Sequence, residues 1–207
     1  ELPTAVSVAH AFFAQVFFCV TVALALVTHP RWEDPGTLDS IPRGRTSLGT
    51  RRLCIVTTAA VFIQLLLGAL MRHTHSGLSI PDFPFVFGGW IPPFHDFRVV
   101  IHYMHRLGAA AIMGFVFWTV AIVLRRHSND SKLVFPASSL AGLLVFQVIL
   151  GALTIWTRKA VIPTTLHVTV GAAVLAVSFI LVLRSWERRE VKNNTRGRSW
   201  TARQATV

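Results

Sequence analysis

The sequence contains little charge for its length, because only 14% of its 207 residues are Asp, Glu, Lys or Arg. Soluble domains carry roughly 25% charged residues. In this chain 53% of the residues are hydrophobic, and the mean hydropathy is +0.56. This composition excludes a soluble globular domain and predicts a membrane protein.

Acidic residues are scarcer than basic ones, with 9 Asp and Glu against 20 Lys and Arg and a net charge of +11. In a soluble protein such an excess would suggest a nucleic-acid partner. Here long uncharged stretches separate the basic residues, which is typical of charges that orient a chain in a lipid bilayer. We therefore expect no nucleic-acid partner.

Cysteine is also scarce, since Cys19 and Cys54 are the only two. Two cysteines beside apolar stretches do not form a disulfide framework, and we expect both to be reduced packing residues. Residue 1 is Glu rather than Met. The chain is therefore expected to belong to a longer protein.

Five apolar stretches are each long enough to cross a bilayer of about 30 Å, which takes about 20 helical residues. Backbone groups inside a bilayer must be satisfied within the protein, so these stretches are expected to be helices. The predicted fold class is an all-α membrane protein with five transmembrane helices. The predicted spans are 5–28, 53–71, 99–124, 133–157 and 160–183.

The basic residues are distributed unevenly between the two sides of these spans. Fifteen fall in the segment 31–52, the loop 125–132 and the tail from Arg184, and five fall on the other side. Cytoplasmic segments are enriched in Lys and Arg. The first group is therefore predicted to be cytoplasmic, which places the loop 73–98 outside.

The second and fourth spans share a short repeat. Gln64-Leu-Leu-Leu-Gly-Ala-Leu70 returns as Gln147-Val-Ile-Leu-Gly-Ala-Leu153. The first and fifth spans share a looser similarity, because Pro3 precedes His10 and Pro163 precedes His167. The repeat suggests two related helical units, and a general small-residue packing face is the alternative.

Three histidines lie at a similar depth in different spans. His10, His105 and His167 are each about 6 to 10 Å from the outer end of their span, at 1.5 Å per residue. Histidines inside a membrane usually have a function, although a backbone carbonyl can also satisfy one. Two helices that each present one imidazole can hold a haem iron between them. The three are therefore predicted iron ligands.

Other residues near this depth fit a porphyrin better than a bare metal ion. Arg72 and Arg106 lie where haem propionates would emerge, and four spans carry a glycine that permits close approach of the ring. His102 is on the same helix face as His105, so it is predicted to neighbour a propionate, or alternatively to be an interfacial histidine. No carboxylate or thiolate shares the depth, which disfavours zinc and di-iron sites.

The outer loop 73–98 is rich in Pro, Gly and aromatic residues. One interpretation is a cap over the haem, and the other is an ordinary aromatic belt at the membrane surface.

In combination these residues resemble the haem A synthase family, which acts in cytochrome oxidase assembly. The resemblance extends from His10 to Arg184. It rests on Ala9-His10-Ala-Phe-Phe-Ala-Gln15, Gly68-Ala-Leu-Met-Arg-His73-Thr, Gly77-Leu-Ser-Ile-Pro-Asp-Phe-Pro84, Ile101-His-Tyr-Met-His-Arg106, the second Gln-x-x-Leu-Gly-Ala and Thr164-Thr-Leu-His167-Val.

The resemblance implies a protein of two similar four-helix bundles, each with a pair of haem-ligating histidines. Residues 53–184 would be the second bundle, with His105 and His167 as haem b ligands. Residues 1–30 would be the last helix of the first bundle, with His10 as a ligand of the substrate haem. Residues 31–52 would be a cytoplasmic linker and 185–207 a basic cytoplasmic tail.

The resemblance also implies an activity, a location and partners. The family oxidises the C8 methyl group of haem O to a formyl group, which gives haem A. The expected location is a bacterial cytoplasmic membrane or a mitochondrial inner membrane. Expected partners are haem O synthase and cytochrome oxidase assembly factors, and a second copy of the chain is a further candidate.

Three departures from the family pattern stand out. The helices that would carry the other histidine and a glutamate of the first bundle are missing from the sequence, so the catalytic half is expected to be incomplete. The loop cysteines of some relatives are absent, and His75 stands where the family has Gly.

The alternative functions are those of a b-type cytochrome that only transfers electrons and of a transporter with a histidine proton relay.

Overall fold

The computed structural model describes residues 3–29 and 46–186, and five long helices account for most of them. Each helix is long and apolar enough to cross a membrane, so the predicted all-α fold with five spans is confirmed. Within the described residues there is no strand, apart from one isolated bridge between Val86 and Gly89. The helices are α1 (Thr4–Val27), α2 (Leu48–His73), α3 (Phe97–Arg126), α4 (Ser131–Trp156) and α5 (Val161–Trp186).

Helices α2 to α5 pack in a ring, in which α2 and α4 each contact both α3 and α5. Helices α3 and α5 therefore occupy opposite corners. Helix α1 lies outside this ring against α2 and α5. None of the residues of α1 is buried.

The buried apolar core fills one half of the ring, towards the α3–α4 turn. It ends at Val61 on α2, begins at Ile112 on α3, ends at Leu144 on α4 and begins at Val174 on α5. On each helix the histidine, glutamine or glycine of interest comes within two turns beyond that limit. A polar layer thus directly follows the apolar core along the ring axis.

Both cysteines belong to this packing and are free thiols. Cys54 is a member of the core and Cys19 of α1 packs against it. In the same half of the ring, the hydroxyls of Thr57 and Thr119 form a 2.9 Å hydrogen bond between α2 and α3. Such pairs satisfy polar groups that would otherwise face hydrocarbon.

Helix α2 begins at Leu48, five residues before the predicted start of its span. Arg51 is buried in this first turn, where its Nε donates to the carbonyl oxygen of Ser185 at 3.1 Å and its guanidinium lies 5.8 Å from the Trp186 ring centre. The end of the predicted linker 31–52 is therefore helical. Residues 30–45 and 187–207, which include most of that linker and the tail, lie outside the described residues.

Candidate functional site

His105 of α3 lies against two residues of the repeat on α2. The side-chain amide nitrogen of Gln64 is 3.1 Å from the imidazole Nδ1 and 2.6 Å from the main-chain oxygen of His105. A methyl group added at Gly68 would lie 3.3 Å from the Cε1 atom of the ring. The imidazole is therefore held between an amide partner and a surface that only glycine leaves open.

His167 of α5 has the same relation to the second copy of the repeat, on α4. The side-chain amide nitrogen of Gln147 donates to the main-chain oxygen of His167 at 2.8 Å. The ring Nδ1 donates to the main-chain oxygen of Gln147 at 3.1 Å. A methyl group at Gly151 would lie 3.1 Å from Cε1. The sequence repeat thus produces a repeated structural unit of glutamine, glycine and histidine.

A second glycine in each unit makes room for the glutamine. A Cβ atom at Gly108 would collide with the Gln64 amide, and one at Gly171 would lie 3.0 Å from the Gln147 amide nitrogen. Because both pairs are in close contact, the helix backbones are nearer to each other here than larger residues would allow. The four predicted glycines therefore shape the polar layer.

The two imidazoles come from opposite corners of the ring and are close enough to interact electrostatically. The hydrogen bonds of both rings use Nδ1, and within the described residues neither Nε2 has a hydrogen-bond partner. A histidine whose Nδ1 donates a hydrogen bond has the lone pair of Nε2 free for a metal, and His167 has this arrangement. The Nε2 atoms of His105 and His167 are therefore the candidate metal-binding atoms of this site.

His102 has a different environment, although it is one turn from His105. It is 2% exposed, its Nδ1 accepts a 3.2 Å hydrogen bond from the Ile80 amide, and its Nε2 lies 3.3 Å from Nε of Arg106. Both ring nitrogens therefore face donors of the protein. His102 supports the outer loop.

Arg106 also points to the outer loop. Its guanidinium donates to the carbonyl oxygens of Phe85, Ile80 and Asp82 at 2.9, 3.2 and 2.7 Å, and it lies 5.6 Å from the Phe83 ring centre. Loop carbonyls that would lack partners at the membrane surface are satisfied in this way. The structure thus gives Arg106 a role that sequence reasoning missed.

Asp82 holds the tip of the outer loop. Its carboxylate accepts hydrogen bonds from the amides of Phe87 and Gly88 at 2.9 and 2.8 Å, within a tight turn closed by Val86 and Gly89. Phe87 and Gly88 both have positive φ angles. These amides, and to a lesser degree the charge of Arg106, hold the pKa of Asp82 below its usual value of 3.8.

Lys159 is a residue that sequence reasoning did not single out. It lies in the turn between α4 and α5 with φ of 67°, and a Cβ atom at Gly77 would lie 3.3 Å from its ammonium nitrogen. Its charge acts on His102. Lys159 therefore brings a positive charge to the outer end of the ring, where Arg72 is exposed at the end of α2.

His10 is separate from the other two predicted ligands. It is exposed on α1, outside the ring. None of the described contacts joins it to His105 or His167. His73 and His75 are also exposed, at the junction of α2 and the outer loop. Across residues 3–29 and 46–186, His, Cys, Asp and Glu form no cluster of three or more that could hold a bare metal ion.

These features define a class: a multi-pass, all-α membrane protein in which two repeated helix pairs bring two histidines to one level. Residues 1–179 match the family described as cytochrome oxidase assembly protein (COX15-CtaA). The chain belongs to that family, which confirms the predicted resemblance.

Curated relatives carry the name heme A synthase. The protein of Staphylococcus carnosus (strain TM300) is 29% identical over 150 residues, which is 70% of this chain and 48% of the relative. The protein of Staphylococcus haemolyticus (strain JCSC1435) is 26% identical over 150 residues, which is 69% of this chain and 47% of the relative. The chain thus spans about half the length of the curated relatives it matches.

Proposed function

We propose that this chain binds one haem b through His105 and His167 and is the C-terminal part of a haem A synthase. The observation that carries the proposal is the repeated unit in which a glutamine and a glycine hold each of the two imidazoles. A haem b there would supply a one-electron redox centre. The contribution of the protein is to hold both rings through Nδ1, so that neither Nε2 has a hydrogen-bond partner among the described residues.

The donor set suits a haem at this position. The Nδ1 atom of His167 donates to a main-chain carbonyl, so in the neutral ring the lone pair is on Nε2, as iron ligation requires. Gly68 and Gly151 keep side-chain atoms away from both rings. Arg72 and Lys159 are the cations at the outer end that could bind the propionates, because the guanidinium of Arg106 is largely occupied by the loop.

The same proposal gives His10 a place at a second haem. Val6, Phe13, Phe17 and further large apolar residues of α1 are between 50% and 73% exposed and share the face of His10 at heptad spacing. Because the curated relatives are about twice as long as the match, this face is proposed to pack against the remaining part of a longer protein. His10 would there ligate the substrate haem.

The proposed activity of the whole protein is oxidation of the C8 methyl group of haem O to a formyl group, giving haem A. The family membership and the names of the relatives support it. The proposed setting is a bacterial cytoplasmic membrane, or a mitochondrial inner membrane if the source is eukaryotic. The proposed partners are haem O synthase, which would supply the substrate, and cytochrome oxidase assembly factors.

Substitution of the two ligands tests the haem b site. Purified His105→Ala and His167→Ala proteins are expected to lose the low-spin haem spectrum, because each variant removes one axial ligand. His102→Ala is the matched control, since His102 is on the same helix but faces the outer loop. Absorption and electron paramagnetic resonance spectra are the measurements. A full low-spin spectrum in both ligand variants would contradict the assignment.

An electron-transfer cytochrome of the b type would use the same pair of histidines. The family membership favours the synthase. Extraction and chromatography of the haems from the longer protein that would contain this chain distinguish the two functions, because a synthase is expected to retain haem O or haem A in addition to haem b.

A further inference from the structure

The hydrogen-bond partner of the histidine Nδ1 atom differs between the two structural units. The partner of His167 Nδ1 is the main-chain oxygen of Gln147, whereas the partner of His105 Nδ1 is the side-chain amide of Gln64. Both glutamine side chains also donate to the main-chain oxygen of their histidine. Both units therefore share the hydrogen bond from the glutamine side chain to the neighbouring helix. In the unit of Gln64, the glutamine side chain also contacts the imidazole ring.

The partners of the two Nδ1 atoms favour opposite tautomers. A carbonyl oxygen only accepts, so Nδ1 of His167 carries the proton and Nε2 has the lone pair. An amide nitrogen only donates, so Nδ1 of His105 has the lone pair and Nε2 carries the proton. His167 is thus already in the form that ligates iron through Nε2. For His105 to do so, the proton must move to Nδ1, where Gln64 must then present its amide oxygen.

We infer that Gln64 is a positioning residue that controls the tautomer and donor strength of His105, whereas Gln147 leaves those of His167 to the main chain. The claim about donor strength towards iron rests on the proposed haem site. The claim about the tautomer of His105 involves only the polypeptide. A partner at Nδ1 sets the ring orientation and the basicity of a histidine ligand.

Nitrogen magnetic resonance of the histidine rings tests the inference directly. The full chain is purified with ¹⁵N-labelled histidine and reduced to a diamagnetic state, and the signals of His105 and His167 are assigned from the alanine variants. Gln64→Met is expected to shift the Nδ1 signal of His105, because methionine offers no partner. Gln147→Met, the matched control, is expected to leave the Nδ1 signal of His167 in place.

A shift of the His105 Nδ1 signal in Gln64→Met is expected with or without haem, because the Gln64 side chain is the partner of Nδ1 in either tautomer. An unchanged His105 Nδ1 signal in Gln64→Met would overturn the inference, as would an equal shift of the His167 signal in Gln147→Met. Absence of haem from the purified chain would contradict the proposed function and leave the ring measurement intact.

A redox titration of the haem-bearing protein adds a second readout. Gln64→Met is expected to raise the midpoint potential, because an imidazole without an acceptor at Nδ1 donates less electron density to ferric iron. Gln64→Glu, which keeps an acceptor oxygen, is expected to lower it. A purely structural disturbance would move both variants in the same direction, and that result would contradict the inference.

Discussion

Gly68 and Gly151 leave the space that the two imidazoles occupy. A methyl group at either position is therefore expected to displace the neighbouring imidazole. In Gly151→Ala the new carbon would lie 3.1 Å from Cε1 of His167, and the ring would have to shift by a few tenths of an ångström. We expect lower haem occupancy and a mixed-spin spectrum. The haem-to-protein ratio of the purified variant measures this.

Gly114 of α3 provides the control for that change. A Cβ atom at Gly114 would meet nothing within 4 Å. Gly114→Ala is therefore expected to leave the haem spectrum unchanged and to stabilise the helix by up to about 1 kcal/mol. Equal loss of haem in the two variants would show that the effect of Gly151→Ala is not local to His167.

His75 has a left-handed backbone conformation, with φ of 56° and ψ of 22°. Glycine adopts this conformation without steric cost, which accounts for the expectation of Gly at this position. His75→Gly is expected to stabilise the protein by roughly 0.5–1 kcal/mol. Thermal unfolding in detergent measures the change.

His73, which is two residues earlier and also exposed, is the matched control for His75. His73 is the last residue of α2 and has a helical backbone, so glycine there loses more conformational entropy on folding than histidine does. His73→Gly is thus expected to lower the unfolding temperature, and His75→Gly is expected to raise it. A lower unfolding temperature for both would contradict the role of the left-handed conformation.

The sequence allowed His105, His167 and the glycines to be selected, because ionisable and small residues inside an apolar span are conspicuous. It did not reveal what Gln64 and Gln147 contact, since that depends on how neighbouring helices are rotated about their axes. It also did not reveal the direction of Arg106. A guanidinium at a helix end can bind a carboxylate or loop carbonyls, and only the folded loop decides between them.

At the scale of elements, hydropathy located all five helices but not the start of α2. The predicted span began after Arg51 and Arg52 because charge ends an apolar window, yet the helix continues through both residues. Arg51 tolerates burial because Ser185 and Trp186 of α5 provide a carbonyl and an aromatic face. A window on one segment cannot include partners that are more than 130 residues away.

The outer loop is the element with a predicted pH dependence. Because the folded pKa of Asp82 is below its ordinary value of 3.8, the stabilisation from its hydrogen bonds is complete above that value. It is lost as the pH falls through the lower folded pKa. Hydrogen exchange of residues 82–89, corrected for intrinsic rates, is expected to show loss of protection in strong acid.

Asp82→Asn is the control for this titration, because asparagine cannot ionise. Its loop is expected to show weaker protection that does not change with acidity. If the wild-type loop kept its full protection at every acidic pH while the rest of the protein stayed folded, the proposed role of the carboxylate would be wrong.

At the scale of the whole molecule, the basic residues predict the orientation. The loop after residue 90 is expected to face outwards and the turn after residue 130 to face the cytoplasm, because fifteen of the twenty Lys and Arg residues lie on the latter side. Reporter fusions after residues 90 and 130 measure this. An external signal from the second fusion would reverse the arrangement.

Residues 1–207 alone are expected not to convert haem O to haem A. The described residues place His10 on the exposed face of α1, away from the paired histidines, and the five helices contain no glutamate. Oxidation of a methyl group requires the reacting carbon to be held close to its oxidant and shielded from water. A single exposed helix face does not form such a pocket.

Expression in a host that makes haem O but lacks its own synthase tests this prediction. Chromatography of the extracted haems is expected to find haem b and haem O without haem A. Haem A in the extract would mean that a second copy or the ring of α2 to α5 completes the reaction site, since two identical chains can pair through the same surface. A His10→Ala variant would then separate these cases, because loss of haem A would place the reaction at α1, whereas its retention would place it at the ring.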